Sequence, residues 1–467
     1  VNRQESTPII VIGGGLAGSE AAWQIGRRGY RVQLYEMKPQ RFSPAHKSPL
    51  LAELVCSNSL GSDIPKSAPG LLKAELRALD SLIMAAAVAN RVPAGRALAV
   101  AREGFSAFVE EKLAACPHIE IIREEVTGVP KNAIVVIAAG PLCSEALAAE
   151  IAKLTGAAHL HFYDAISPII DGESLDYSRM FWASRYEADG SDYLNIPLSK
   201  EEYEAFHREL SMAESVPLHD FESPRYFEGC LPLEVIASRG IDTLRFGAMK
   251  PVGIRDSRSN EQPYALVQLR REDAAGRLFN IVGFQSKLKW GEQKRVFSQL
   301  PGLRNVVFVR FGAVHRNTFI ASPLLLTEKL ALRSNGNIFF AGQITGVEGY
   351  VESTAMGLLA GLNALALARG KDLPPPSPVT ATGALIRYIT SWQRDFQPMG
   401  INFGLLPPLT EGDVRGRGGG DMPKVSASGA QAAGGSLPAV KVRKSERGAL
   451  YAQRALAALA DFSQNEI

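Results

Sequence analysis

Pro8-Ile-Ile-Val-Ile12, Gly13-Gly-Gly-Leu-Ala-Gly18 and the stretch from Ser19 to Arg28 follow one another without a break. The first is an apolar, β-branched run of the kind found in a strand buried on both faces. The second is a glycine turn. The third has Ala21, Ala22 and Ile25 on one side of a predicted helix, which Gly29 ends. A second strand, Arg31-Val-Gln-Leu-Tyr35, closes on Glu36, 23 positions after Gly13. Strand, turn, helix and strand thus fill about 30 residues, the length of a dinucleotide-binding βαβ unit. In such a unit Gly13 permits the tight turn, Gly15 lets backbone approach a pyrophosphate, and Gly18 lets helix and strand pack closely. Gly14, Leu16 and Ala17 complete the loop and helix start whose N–H groups meet the phosphates, and Glu36 accepts from the ribose hydroxyls. A turn that binds nothing is the plainer reading. The flanking strand and helix and the acidic residue weigh against it.

Outward from this unit, Asn132-Ala-Ile-Val-Val-Ile-Ala-Ala-Gly140 reads as another strand of the same sheet. From about Phe162 to Pro323 the pattern changes to short alternating segments rich in turn formers, which indicates a mixed insertion. The first character then returns with a strand at Asn337-Ile-Phe-Phe-Ala-Gly342 and a small-residue helix from Ser353 to Arg369. FAD and NAD share the glycine fingerprint. The late strand ending at Ala341-Gly342-Gln343 favours FAD, because a helix start there turns its positive end toward a flavin ring, with Gly342 and Gln343 beside it. The fold class expected is α/β: a Rossmann-like, glutathione-reductase-like, discontinuous FAD-binding domain (7–161 and 326–410) with a mixed α+β insertion domain (162–325). Residues 411–467 read as a Gly/Ala/Ser-rich linker and a basic C-terminal helix. Gly416 to Gly420 follows Arg415 and not a strand, so it reads as linker.

Length and composition, 467 residues, 46% hydrophobic and 21% charged, suit a globular protein of two domains or of one domain carrying a large insertion. No continuous apolar run reaches membrane-spanning length, and Val1 to Ser6 lacks the features of a signal peptide, so the expected location is the cytoplasm. The four cysteines, Cys56, Cys116, Cys143 and Cys230, form no CxxC pair, and neither a disulfide framework nor a metal site is expected. Net charge is +3 overall, but seven Lys or Arg against three Asp or Glu lie between Asp413 and Arg447. That basic tail could grip RNA phosphates.

Several segments resemble the folate/FAD-dependent tRNA (uracil-C5-)methyltransferase, or TrmFO, family. They include Tyr35-Glu-Met-Lys-Pro39, Ala52-Glu-Leu-Val-Cys-Ser-Asn-Ser-Leu60, Gly70-Leu-Leu-Lys-Ala-Glu75 and Phe227-Glu-Gly-Cys-Leu-Pro232. Met249-Lys-Pro-Val-Gly253, Val282-Gly-Phe-Gln-Ser286 and His315-Arg-Asn-Thr318 belong with them. Glu348-Gly-Tyr-Val-Glu352 resembles both this family and a related flavoprotein family that modifies the wobble uridine, and the likeness runs from about residue 8 to about 408. The resemblance implies formation of 5-methyluridine at position 54 of the tRNA T-loop. The one-carbon unit would pass from 5,10-methylenetetrahydrofolate through the reduced flavin, with NAD(P)H as reductant and no obligate protein partner.

Uracil C5 becomes nucleophilic only when something adds at C6, and a thiolate both adds near neutral pH and leaves again. Cys56 and Cys230 lie in turn-like contexts that suit a buried small hydrophobe as well as a reactive thiol. The resemblance implies that they are the catalytic residues, Cys230 as C6 nucleophile and Cys56 as its partner near the flavin, an assignment that could be reversed. Cys116 and Cys143 read as buried small hydrophobes. The target base must leave its stack to be reached. His46 is either a proton carrier near Cys56 or a solvated loop residue. Lys287, Lys289, Lys294 and Arg295, near Trp290, either meet the RNA backbone or the folate tail or form a solvated face. Two features depart from the family pattern: the long Glu411 to Ser436 stretch and an isoleucine in Tyr193-Leu-Asn-Ile-Pro197.

Three other readings stay open. One is the related flavoprotein family that installs a carboxymethylaminomethyl group at the wobble uridine. Another is a flavin-containing RNA-binding or redox protein without methyl transfer, and the last is an NAD(P)H-dependent flavin reductase.

Overall fold

The structure is a computed structural model that describes residues 7–156, 160–187, 190–216, 231–273, 275–394, 396–415 and 442–463. The chain enters through β1 (Ile9–Ile12), α1 (Leu16–Gly26) and β2 (Val32–Tyr35). It continues through β3 (Ser59–Ser62), α2 (Ala68–Ala78), α3 (Leu82–Ala89), β4 (Arg91–Val92) and β5 (Ala97–Val100). Then come α4 (Arg102–Ala114), β6 (Ile119–Ile122), β7 (Val135–Ile137) and α5 (Glu145–Thr155). Strand β8 (Leu160–Ile166) leads out to β9 (Ile169–Asp171), β10 (Phe181–Ala183), β11 (Tyr193–Leu198), α6 (Lys200–Met212), α7 (Leu233–Ala237) and α8 (Thr243–Phe246). That part goes on with β12 (Ala265–Arg271), β13 (Leu278–Ile281), α9 (Trp290–Phe297) and β14 (Phe308–Arg310), and β15 (Ala313–Phe319) leads back. The chain finishes with α10 (Ser322–Leu325), β16 (Ala331–Leu332), β17 (Asn335–Phe340), α11 (Tyr350–Ala368), α12 (Ala381–Thr390), α13 (Glu411–Arg415) and α14 (Lys444–Ser463).

The first sheet has the order β16-β17-β7-β1-β2-β6. Every pairing in it is parallel except β16 with β17. Val11, Leu34 and Val136 are fully buried, as strands covered on both faces must be. Strand β17 joins the sheet beside β7 after the long excursion, which makes this α/β unit discontinuous in sequence. The excursion builds a second sheet of order β10-β11-β12-β13-β9-β14, antiparallel throughout. Its core gathers Tyr203, Phe206, Phe284 and Phe297. The ribbon of β8 and β15, paired from Leu160↔Phe319 to Ile166↔Ala313, connects the two units.

Helix α1 begins at Leu16 rather than Ser19, and α11 at Tyr350 rather than Ser353. Each is preceded by a glycine N-cap, Gly15 or Gly349, with no capping side chain. The two helices cross backbone to backbone: a Cβ on Gly357 would stand 2.2 Å from the Ala17 carbonyl oxygen, and one on Gly361 would stand 2.8 Å from that of Ala21.

By length and composition α11 could cross a membrane, which a search for continuous apolar runs does not register. It is buried within the protein and forms the spine of the first core. Helix α14 also docks on that core through Leu450, Tyr451 and Leu459, with Tyr451 stacked on Phe403 at 4.9 Å. The greater part of the expected linker, 416–441, lies outside the described residues.

Replacing Gly357 by Val forces α11 off α1. We expect a loss of roughly 1–3 kcal/mol or more, seen as a lowered Tm together with loss of bound FAD. Gly336→Ala, whose Cβ would meet nothing within 4 Å, is the control and leaves both unchanged.

Candidate active site

The glycine turn and the N-terminus of α11 open onto one cleft, lined by Gly13, Gly15, Glu36, Gly342, Gln343 and Tyr350 among others. The glycines divide the work there. Gly13 has φ +104°, and its Cβ would collide with the Ala138 carbonyl oxygen at 2.6 Å; a Cβ on Gly18 would stand 1.7 Å from the Gly13 oxygen. Both are needed for the fold itself. A Cβ on Gly15 would meet nothing within 4 Å. Gly15 therefore guards open space, as a backbone that must approach a phosphate does. No side chain caps α1 and no acidic residue sits in its first turn, so its positive end is left to the cleft.

Glu36 is buried, and its carboxylate accepts the Gly14 N–H at 2.8 Å and the Lys38 N–H at 3.0 Å. It anchors the loop with one lone pair of each oxygen and keeps the others for ribose hydroxyls. At the opposite wall Gly342 has φ +81°, and a Cβ there would press on Ala17 at 2.8 Å. Gln343 donates to Glu348 at 2.7 Å, which fixes its amide. An open glycine, an uncapped helix end and a buried acid at the end of the second strand fit the phosphates and ribose of FAD.

A second cleft adjoins the first, and Val55, Gln343 and Tyr350 line both. Cys56 lies on the second, with Asn317 of β15 and Val351 of α11. The loop that carries Cys56 is held from several directions. The Tyr350 hydroxyl accepts the N–H groups of Cys56 at 2.7 Å and Ser57 at 3.1 Å, and burial pushes that phenol well above its ordinary range. Arg310 of β14 donates to the carbonyls of Val55 at 3.0 Å and Cys56 at 3.2 Å. Arg102, at the start of α4, donates to the Leu54 carbonyl, and Arg270 of β12 donates to Ser57 Oγ at 2.7 Å and Asn58 Oδ1 at 2.8 Å.

Glu272, almost fully buried, pairs with Arg102 at 2.6 Å. Burial works against the Arg102 charge, and Glu272 more than offsets it, so that guanidinium is held above its ordinary range. Arg310 has no ion pair among the described residues; burial, then the neighbouring Arg102 charge, lowers it to about 10. Residues of the second sheet therefore clamp a loop of the first unit.

The remaining candidates divide. Cys230 lies outside the described residues. The described chain on either side is tied to one strip: Val216 N–H donates to the Lys287 carbonyl at 2.8 Å, and Leu233 N–H to that of Gln285 at 2.7 Å. Cys116 and Cys143 are half-buried against apolar cores, and burial pushes the Cys143 thiol up to about 11, as suits an inert residue. His46 lines the dinucleotide cleft, while Cys56 lines the second one. It meets Ser43 Oγ at 2.5 Å, and burial, then the Lys38 ammonium, holds its imidazole below the usual range. It is thus not a solvated loop residue.

Of the basic run near Trp290, Lys289 is paired with Glu214 and Arg295 with Glu292 and Glu209. Two of those charges are committed within the protein. Sequence reasoning missed Tyr350 as a residue of the Cys56 loop, although it lies in a quoted motif, and missed Arg102, Arg270, Glu272 and Arg310 entirely.

Fold and site together define an FAD-binding flavoprotein with a discontinuous dinucleotide domain. The family model described as glucose inhibited division protein A matches residues 8–372. Among solved structures, that of Aquifex aeolicus GidA in its form II crystal superposes with a TM-score of 0.63 at 16% identity, covering 84% of this chain and 70% of that one. That likeness concerns the fold. A methylenetetrahydrofolate–tRNA-(uracil-5-)-methyltransferase TrmFO of Syntrophus aciditrophicus (strain SB) is 54% identical over 454 residues, 97% of this chain and 96% of its own. The TrmFO of Geobacter sulfurreducens is 58% identical over 409 residues, 87% of this chain and 94% of its own. The chain belongs to the TrmFO family.

Gly15→Ala separates binding from folding. Its Cβ fits the protein but intrudes on the phosphate position, so we expect an apo-protein Tm within about a degree of wild type and, as an order of magnitude, about tenfold weaker FAD binding. Calorimetry and flavin absorbance measure both.

Proposed function

We propose that this enzyme transfers the one-carbon unit of methylenetetrahydrofolate to C5 of the T-loop uridine of tRNA, with NAD(P)H as reductant. FAD, held by Gly13, Gly14, Gly15, Leu16, Ala17, Gly18, Glu36, Gly342 and Gln343, supplies the redox chemistry and carries the one-carbon unit when bound. The observation that carries this reading is the position of Cys56, on a clamped loop where the dinucleotide cleft opens into a second cleft. That second cleft is the natural seat for folate and an extruded base.

In this reading the Cys230 thiolate adds to C6, forming a C6–S bond and making C5 nucleophilic. C5 then bonds the one-carbon unit, Cys56 takes up the proton that leaves C5, and the C6–S bond breaks with departure of the thiolate. Two electrons and a proton supplied by NAD(P)H convert the exocyclic methylene left on C5 into the methyl group. Tyr350 and Arg310 fix the peptide on either side of Cys56, so the thiol keeps its place while the substrates exchange. The parts we assign are 7–161 and 326–410 for FAD, 162–325 for the insertion that shapes the second cleft, and 411–467 for the C-terminal extension. We propose further that the enzyme works in the cytoplasm and without an obligate protein partner.

The test supplies the purified protein with unmodified tRNA, NAD(P)H and methylenetetrahydrofolate labelled in its methylene carbon. Label is expected in 5-methyluridine of the T-loop, with at least a hundredfold loss in Cys56→Ala and Cys230→Ala while both retain FAD. Unlabelled tRNA from FAD-loaded wild type overturns the reading.

A further inference from the structure

Trp290, the first residue of α9, is 67% exposed. It is nevertheless held in a fixed orientation. Its ring stacks on Phe311 at 5.7 Å with 12° between the planes, and Phe311 stacks on Phe308 at 4.9 Å and 16°. Phe308 in turn meets the fully buried Phe297 at 6.5 Å. A ladder of rings thus runs from the core of the second sheet to the surface and ends on an indole with one face covered and the other open.

The ladder adjoins the candidate active site on the side of Arg310. Phe311 follows Arg310, whose guanidinium holds the Cys56 carbonyl at 3.2 Å. Trp290 follows the strip Gln285 to Lys289, to which Val216 and Leu233 are tied, with Lys289 N–H also donating to the Glu214 carbonyl at 3.0 Å. Lys294 lies one turn along α9 from Trp290, exposed and with no ion pair among the described residues.

We propose that the open face of Trp290 is a stacking platform for an unpaired nucleobase of the tRNA, beside the base that is modified, with Lys294 meeting a neighbouring phosphate. The proposal rests on the tRNA substrate assigned above and adds the place where a second base is gripped. A nucleobase suits this surface because it has two flat faces and needs only one of them matched. A ring already fixed by its neighbours loses little freedom on stacking. The anionic backbone that accompanies any base suits the lysine. A base drawn out of an RNA loop leaves its neighbours unstacked as well, and they need a new surface.

Direct binding of unmodified tRNA to the FAD-loaded enzyme tests the proposal, with Trp290→Ala and Trp290→Phe compared with wild type. We expect Trp290→Ala to weaken tRNA binding roughly tenfold and to raise the KM for tRNA in step, with kcat and the KM for methylenetetrahydrofolate within about twofold of wild type. Trp290→Phe should recover most of the loss. Indole fluorescence quenched by tRNA in wild type should be unquenched to that extent in Trp290→Phe.

Equal tRNA affinity in Trp290→Ala and wild type overturns the platform. So does a rise confined to the folate KM, which would make the folate tail the occupant, or a loss of self-association, which would make it a second copy. A wild type that binds tRNA but transfers no label overturns the proposed reaction instead, and the binding comparison still decides the platform.

Discussion

The crossing of α1 over α11 is the contact on which the site depends. Gly357 and Gly361 bring one helix backbone against the carbonyls of Ala17 and Ala21, which neither a Cβ nor any longer side chain allows. Two helix N-termini, at Leu16 and Tyr350, consequently open on the same cleft although they stand far apart in sequence. Both are capped by glycine without a side-chain acceptor. Orphan N–H groups at a helix start are ordinarily satisfied by Ser, Thr, Asp or Asn. Leaving both helices uncapped costs some stability in the free protein and reserves their positive ends for an anionic ligand.

The second sheet completes what the first begins. Within the first unit the Cys56 loop is held by Tyr350 of α11 and Arg102 of α4. Arg270 and Arg310 reach in from β12 and β14, and Arg102 meets them from α4 with Glu272 as counter-charge. Three guanidinium groups thus meet at the loop, with Glu272 as the counter-charge of Arg102. The connection between β13 and α9 binds Val216 and Leu233, and the Trp290 ladder rests on the core of the second unit. The dinucleotide unit has the fold that binds FAD, and the insertion supplies two of the arginines that fix the Cys56 loop.

How far the sequence reveals this follows from distance along the chain. Gly13, Gly15, Gly18 and Glu36 act together within one βαβ unit, so their spacing is itself the signal. The parallel sheet, its interruption and its return at β17 are legible because buried strands are written as continuous apolar runs. The sequence pattern puts the starts of α1 and α11 three residues late, because a glycine cap without a polar side chain carries no ordinary helix-start signal. The clamp on Cys56 is not legible at all: Arg310 is 255 positions from Val55, and Tyr350 is 294 from Cys56. An arginine that solvates a backbone carbonyl across a domain junction looks, in sequence, like any surface arginine.

The central claim is that a thiolate of this chain adds to C6 of the target uridine, and trapping that bond tests it most directly. A T-loop RNA carrying 5-fluorouridine at the target position cannot release a proton from C5, so the adduct should persist and can be mapped by mass spectrometry after digestion. The account predicts a covalent RNA adduct on the peptide that contains Cys230, dependent on FAD, reductant and methylenetetrahydrofolate and absent in Cys230→Ala. An adduct on Cys56 would reverse the two roles, and methylation of ordinary tRNA by an enzyme that never forms an adduct on either cysteine would contradict the account.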